Sequence, residues 1–302
     1  MKYTNKRDFP DFVVEWLKHD EYDYDENTIS ATTLMQPPRS YALAKQNWDR
    51  LEIDIEDLIA SRYGTAIHDS VEKVGLTGCK QEERLRKAVK NKIITGKFDI
   101  LKEVSEKRWQ LIDVKSTSVW SFIYGSKDEE YIKQLSIYRW LGLQNGYDVI
   151  QKGKVWMIFT DWSAAKAKQD PKYPQTRIAI KEIELWTDDK TLKYIGDRIT
   201  LLETALKQTQ DRMVRCTDEE LWASEDTWAI MKKGAKRAFK VFDTETKAKD
   251  LLLGKNGNPM SSDYDIEHRK GTVKRCKYCT ARKFCEQYTE LVDSGRSENH
   301  DK

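Results

Sequence analysis

The sequence predicts an α/β protein with a basic, cysteine-bearing arm at its C-terminal end, and three observations predict it. Stretches with helical spacing alternate with strand-like apolar runs between about residues 40 and 208. Apolar residues make up 39% of the 302, with ten Trp, so a sizeable core can be buried and disorder is excluded as the general state. Three of the five cysteines then fall within ten residues, in the most basic part of the chain.

The elements follow in order. Phe9, Phe12, Val13, Trp16 and Leu17 give residues 9–19 the spacing of a short amphipathic helix. An acidic, tyrosine-bearing loop follows at 20–28. Ser30 to Leu34 starts a further helix that stops before Pro37-Pro38, and a long helical stretch covers 40–75 with an interruption near Gly64. Ile93–Val104 and Trp109–Ser116 read as two strands of a hairpin about the polar turn Ser105–Arg108. Residues 128–143 return to helix, and Val155–Thr160 and Arg177–Trp186 are strands. Leu192, Ile195, Ile199, Leu202 and Leu206 mark a helix over 188–208.

Beyond this point the texture changes. Thr217-Asp-Glu-Glu220 fits a capping box and predicts a helix just after Cys216. Trp228–Phe242 reads as a basic hairpin about Lys233-Gly234, a short helix at 244–253 ends at Gly254, and Asn256–Pro259 is a loop. The expected division is an N-terminal helical region (1–58), an α/β core (59–210), a basic arm (211–290) and a flexible polar tail (291–302).

Charge and hydropathy narrow the function classes. No window comes near 18 apolar residues, so no membrane span is expected, and Met1–Asp8 has no apolar signal core. The expected location is the cytoplasm of a bacterium or of a phage-infected host. The net charge of +3 hides an asymmetry: residues 231–285 carry 15 Lys/Arg against 6 Asp/Glu, the rest of the chain 38 against 44. A basic arm on a neutral body suits a polyanionic partner; the plainer alternative is a solvated face.

Cys276, Cys279 and Cys285 form C-x2-C-x5-C, with Cys216 upstream and Cys79 apart. A cytoplasmic chain does not rely on disulfides, and C-x2-C lets two thiolates grip one centre, so metal or cluster binding is expected rather than scattered structural thiols.

Asp113-Val-Lys115 is the centre of the chemical reading. On a strand, Asp113 and Lys115 project to one side while Ile112 and Val114 face the core. If the preceding strand pairs with it, Asp99 of Gly96-Lys-Phe-Asp99 converges on Asp113. Two close carboxylates repel unless a cation joins them, and oxygen ligands suit Mg2+ or Mn2+. A lysine beside that cation can act on a water, and the ion can stabilise a phosphoryl oxygen. His68 and Glu72 stand at i, i+4 on one helical face, the first a further ligand and the second its orienter or a shell member. Gln134 and Tyr138 repeat that spacing, placing an amide and a phenol together.

In this order, G-T-x-x-H-x3-E, G-x-x-D, D-x-K and Q-x3-Y, the chain resembles the RecB-like exonucleases of the PD-(D/E)xK superfamily. Its C-x2-C-x5-C end resembles the iron–sulfur subgroup, which includes CRISPR-associated and AddB-type nucleases, and the arrangement is similar to phage exonucleases. The resemblance covers about residues 60–140 and 216–288. It implies an αβββαβ core, a small mixed sheet flanked by helices with the site at one edge. It implies Asp99, Asp113, the Val114 carbonyl and His68 as metal ligands, Lys115 acting on the attacking water, and Gln134 and Tyr138 shaping the site. It also implies a [4Fe–4S] centre, with zinc as the alternative, and DNA as substrate, in company with a recombinase, a helicase or a single-strand-binding protein. One feature departs: the relatives' first cysteine lies upstream of the core, whereas here none precedes Cys79. Cys216 is taken as the fourth ligand, with Cys79 as the fallback. The rival reading is a DNA-binding protein that keeps the fold without cutting.

Overall fold

A computed structural model describes residues 1–19, 27–254 and 260–300. The acidic loop expected at 20–28 falls almost wholly outside these residues, and the loop at 256–259 entirely so. In chain order the elements are β1 (Lys2–Thr4), α1 (Asp11–Lys18), β2 (Thr28–Ser30), α2 (Ala31–Leu34), α3 (Pro38–Gln46), β3 (Glu52–Asp54), α4 (Ile59–Glu72), β4 (Cys79–Gln81), β5 (Arg84–Val89), β6 (Lys92–Lys97), β7 (Ile100–Ser105) and β8 (Arg108–Thr117). They continue with α5 (Val119–Tyr124), α6 (Asp128–Gln144), β9 (Asp148–Val149), β10 (Lys152–Phe159), α7 (Ala164–Gln169), β11 (Ile178–Glu184), α8 (Asp188–Leu206), β12 (Thr227–Lys232), β13 (Lys240–Phe242), α9 (Glu245–Leu253), β14 (Tyr264–Arg269) and α10 (Glu286–Asp293).

Two compact units emerge: Met1–Gln36 with Glu52–Thr204, and Pro37–Leu51 with Ala205–Lys302. Residues 37–51, assigned by the sequence to the N-terminal helical region, therefore group with the C-terminal third. In the first unit a six-stranded mixed sheet runs β11–β10–β8–β7–β4, with β9 also on β8. Strand β8 is antiparallel to β7 and parallel to β10. The parallel return needs a crossover, which α5 and α6 supply. Leu111, Asp113 and Val114 are all buried, so β8 is covered on both faces, not on one. Helix α6 lies against β5, β6 and β8 and buries residues nearly all round its axis, as a core helix does.

The single strand expected over 93–104 is two. Strand β6 joins a three-stranded sheet, β2–β6–β5, while β7 joins the six-stranded one. The chain changes sheets at Phe98 and Asp99; Phe98 is buried and pins the bend. A continuous apolar run cannot show such a bend, because both sheets want the same residues. The helical stretch expected over 40–75 breaks across 47–58, not at Gly64, which lies inside α4. Asn47 ends α3 by donating its side-chain amide to the Leu43 carbonyl, and β3 pairs with β1 in between.

The second unit carries a three-stranded antiparallel sheet, β13–β12–β14, with α9 packed on it. The helix expected after Cys216 does not form. Its capping box does: Glu220 N–H donates to Thr217 Oγ1 and Thr217 N–H to the Glu220 carboxylate, both at 3.2 Å. Trp222 then enters the left-handed region (φ 51°) and ends the turn. The expected tail at 291–302 continues α10 to Asp293, and His300 N–H still donates to Tyr288 Oη at 2.8 Å. Among the described residues no helix is long and apolar enough to cross a membrane.

Gly96 couples two of the sequence motifs. A Cβ there would lie 2.7 Å from Tyr138 Cε1 and 2.9 Å from Leu141 Cδ1, so β6 and α6 can approach only without a side chain. Gly96→Ala is expected to destabilise the chain by about 1–3 kcal/mol, read in urea unfolding, and to displace the Tyr138 ring.

Candidate active site

The strand register builds the centre. Ile100 pairs with Ile112 in the β7–β8 ladder, so Asp99, one residue before β7, falls beside Asp113. Val114 N–H donates to Asp99 Oδ2 at 2.6 Å, fixing this carboxylate from the backbone of β8. Asp113 is 2% exposed, and neither of its oxygens has a directed hydrogen-bond donor among the described residues. Lys115 Nζ stands 2.8 Å from Asp113 Oδ2, an ion-pair distance reached off the hydrogen-bonding direction. Buried carboxylate oxygens in that state call for a cation.

His68, on α4, directs Nδ1 at Asp99 Oδ1 (3.2 Å) and at Glu82 Oε1 (3.6 Å). His68, Glu82 and Asp99 each offer a ligand atom, all within 4.8 Å of one another. Glu82 is also paired with Lys97. The site thus holds three carboxylates, an imidazole and two amines in one small volume. Hydrogen bonding to Asp99 and Glu82, against burial, raises His68 to about 10. Burial works to raise Glu82, but His68 and Lys97 hold it below the usual carboxylate range. Burial pushes Asp113 up to about 6, with Lys115 opposing. Burial also works to neutralise Lys115, yet Asp113 and Asp99 keep it protonated. The two shifts pull against each other, and the 2.8 Å contact fits the ionised pair.

On α6, Gln134 Nε2 donates to Tyr138 Oη at 2.9 Å, and both residues are buried. Burial raises the Tyr138 phenol, which also lies in the fields of Lys115 and Asp113. The structure therefore brings together His68, Asp99, Asp113, Lys115, Gln134 and Tyr138, with Val114 between the two charged strand residues. It does not bring Glu72. That residue is exposed at the last position of α4, a full turn beyond His68 toward the helix end. Glu82 takes the place expected of it. No periodic signal marks Glu82: it sits in the bend between β4 and β5 with a left-handed backbone (φ 52°), tied by its N–H to the Asp99 carbonyl.

The cysteines divide. Cys79 lies on β4 of the first unit, opposite Lys102. In the second unit, Cys276 belongs to an apolar cluster with Leu221, Val273, Tyr288 and Leu291, against which Cys216 and Cys285 also pack. Cys279 and Cys285 border a second cluster around Ala42, Leu43 and Ala281. Gln287 clamps Cys216 by both backbone groups, at 2.8 and 2.9 Å. Arg39 is buried; its Nε faces Cys285 Sγ at 3.4 Å and its Nη1 donates to the Gln210 carbonyl at 2.8 Å. Ser40 Oγ lies 3.3 Å from Cys279 Sγ. Burial, then neighbouring Glu220 and the other thiols, push Cys216 up to about 12; burial, then Cys279 and Cys285, push Cys276 up to about 11. Among the described residues no three cysteine sulfurs lie within 4.8 Å of one another.

No family model matches this chain, and no curated protein matches it. Three solved structures are similar over part of their length. SSO0001 is 22% identical over 64% of this chain and 86% of its own, with a TM-score of 0.43. A phage-related exonuclease from Haemophilus somnus 129PT is 18% identical over 67% and 82%, with a TM-score of 0.29. LHK-Exo, crystallised in complex with dAMP, is 15% identical over 59% and 89%, with a TM-score of 0.31.

A cation set of this kind is checked by thermal melting. Mn2+ is expected to raise the melting temperature in a concentration-dependent way. Glu82→Gln should weaken the ion's apparent affinity about 10- to 100-fold, and Asp99→Ala should remove the effect. An unchanged midpoint in Glu82→Gln would detach that residue from the ion.

Proposed function

We propose that the chain is a divalent-metal-dependent deoxyribonuclease of the RecB-like PD-(D/E)xK type, acting as an exonuclease in phage DNA processing, recombination or repair. One observation carries this reading: Asp99, Asp113 and Lys115 meet where Val114 N–H donates to the Asp99 carboxylate, with the Asp113 oxygens buried and lacking directed donors. Asp99, Asp113, His68 and the Val114 carbonyl would hold Mg2+ or Mn2+, with Glu82 beside them. The ion supplies charge stabilisation at the phosphoryl oxygen and a more acidic water.

The chain's own groups do the rest. Lys115, kept protonated by Asp113 and Asp99, orients the attacking water and neutralises charge as it builds on the phosphoryl oxygens. The new bond runs from water oxygen to phosphorus and the bond to the departing sugar oxygen breaks in line, the water's proton passing to solvent and the sugar oxygen taking one from solvent. Gln134 and Tyr138, hydrogen-bonded to each other, fix the wall beside Lys115. Bases are not read, because phosphate contacts carry little sequence information.

Cys216, Cys276, Cys279 and Cys285 are proposed as ligands of a [4Fe–4S] cluster, with zinc as the alternative. A buried guanidinium wants an anion nearby, and Arg39 faces Cys285. Zinc held by the same four thiolates is the alternative centre. Cys79, on β4, stays the fallback for the fourth ligand.

Asp113→Ala and Lys115→Ala are expected to reduce cleavage of end-labelled DNA by at least 10²-fold while leaving DNA binding in EDTA within about twofold. Wild-type rates in either variant would refute the site. Linear DNA should be degraded and covalently closed circles spared; nicking of circles would replace exonuclease by endonuclease. Anaerobically prepared protein should be brown and carry iron and sulfide in equal amounts. A colourless chain with one zinc would decide for the alternative.

A further inference from the structure

Helix α5 joins two elements that both supply site residues: β8, with Lys115, precedes it, and α6, with Gln134 and Tyr138, follows. Its inner face is anchored. Val119 is fully buried, and Phe122 packs on Phe159 of β10 with ring centroids 5.5 Å apart. Its start is locked as well, since Ser118 Oγ and Val119 N–H donate to the two oxygens of Asp161 at 2.6 and 2.7 Å. Yet the outer face of this rigid helix presents two aromatic rings to solvent: Trp120 is 42% exposed and Tyr124 74%. The rings stack on each other, 6.0 Å between centroids and 19° between planes. Lys166 lies over the Trp120 ring at 5.0 Å, and Tyr173 meets the same ring edge-on. Exposing such rings costs solvation free energy that their own fold does not recover, and the cation beside them suits an anionic partner.

We propose that Trp120 and Tyr124 form a stacking shelf for unpaired nucleobases, so that the preferred substrate end is single-stranded DNA. Aromatic faces beside a basic group are the chemistry by which single strands are held without regard to sequence. Trp120 is five steps along the chain from Lys115, at most about 18 Å, so the shelf stands within a few nucleotides of the bond to be cut. A duplex end offers only the outer face of its terminal base pair, whereas an unpaired strand can turn successive bases onto the rings. The inference rests on the nuclease reading for its choice of ligand, and its test is separable from it.

The test measures binding in EDTA, with no cleavage required, of a single-stranded oligonucleotide and of its counterpart in which the bases near both ends are replaced by abasic spacers. The two probes share backbone and charge. The wild-type protein should bind the base-bearing strand roughly 5- to 100-fold more tightly. Trp120→Ala with Tyr124→Ala should bind both strands as the wild type binds the abasic one. Tyr124→Ala alone, at the more exposed position, should lose part of the preference, and Trp120→Phe should retain most of it. Equal binding by the wild type, failure to bind either strand, or a preference that survives in the double variant overturns the shelf. Cleavage in Mg2+ is followed alongside. A chain that discriminates without cutting keeps the shelf and loses the hydrolase; one that cuts without discriminating does the reverse.

Discussion

Like charges buried side by side are the constraint on which this protein is organised. Asp113 is sealed inside the sheet with its carboxylate beside that of Asp99, and only positive charge makes such a pair tenable. Lys115 answers from the same strand, and His68 from α4, with Glu82 and Lys97 completing an alternating set of anions and cations. Central placement of β8, covered on both faces, is what removes water from Asp113. The same burial that makes the carboxylate costly gives it force toward a divalent ion.

The surrounding elements follow from holding this set in place. Asp99 sits where the chain leaves one sheet for another, so its position is over-determined by both ladders and by the Val114 amide. Gly96, three residues earlier, admits the Tyr138 ring, and Tyr138 in turn receives Gln134. Residues that read in the sequence as separate short motifs are thus neighbours through packing and not merely through shared chemistry. Helix α5 extends the same logic outward, since its buried face is fastened to β10 while its rings face solvent.

Much of this was legible beforehand. Period-two alternation placed Asp113 and Lys115 on one side of a strand, and the hairpin reading of β7 and β8 carried Asp99 toward them. The helices at α1, α6, α8 and α9 and the strands β10 to β13 also announced themselves by spacing and turn residues. What stayed hidden has physical reasons. Glu82 acts from a left-handed bend, where no periodicity exists, while Glu72 matched the helical spacing to His68 but lies past the useful turn. The bend at Phe98 interrupts no hydrophobic pattern. Thr217 and Glu220 satisfied their capping box, yet a reciprocal pair of hydrogen bonds nucleates a turn without guaranteeing a helix. The grouping of Pro37–Leu51 with the last hundred residues is a tertiary choice that local sequence does not encode.

The most direct measurement is anomalous diffraction at the manganese edge from crystals grown with Mn2+. The expected result is an ion coordinated by Asp99 and Asp113 at about 2.1 Å, with His68 or Glu82 and the Val114 carbonyl in its shell. Manganese bound elsewhere, with Asp113 still facing Lys115 alone, would contradict a cation centre on β8.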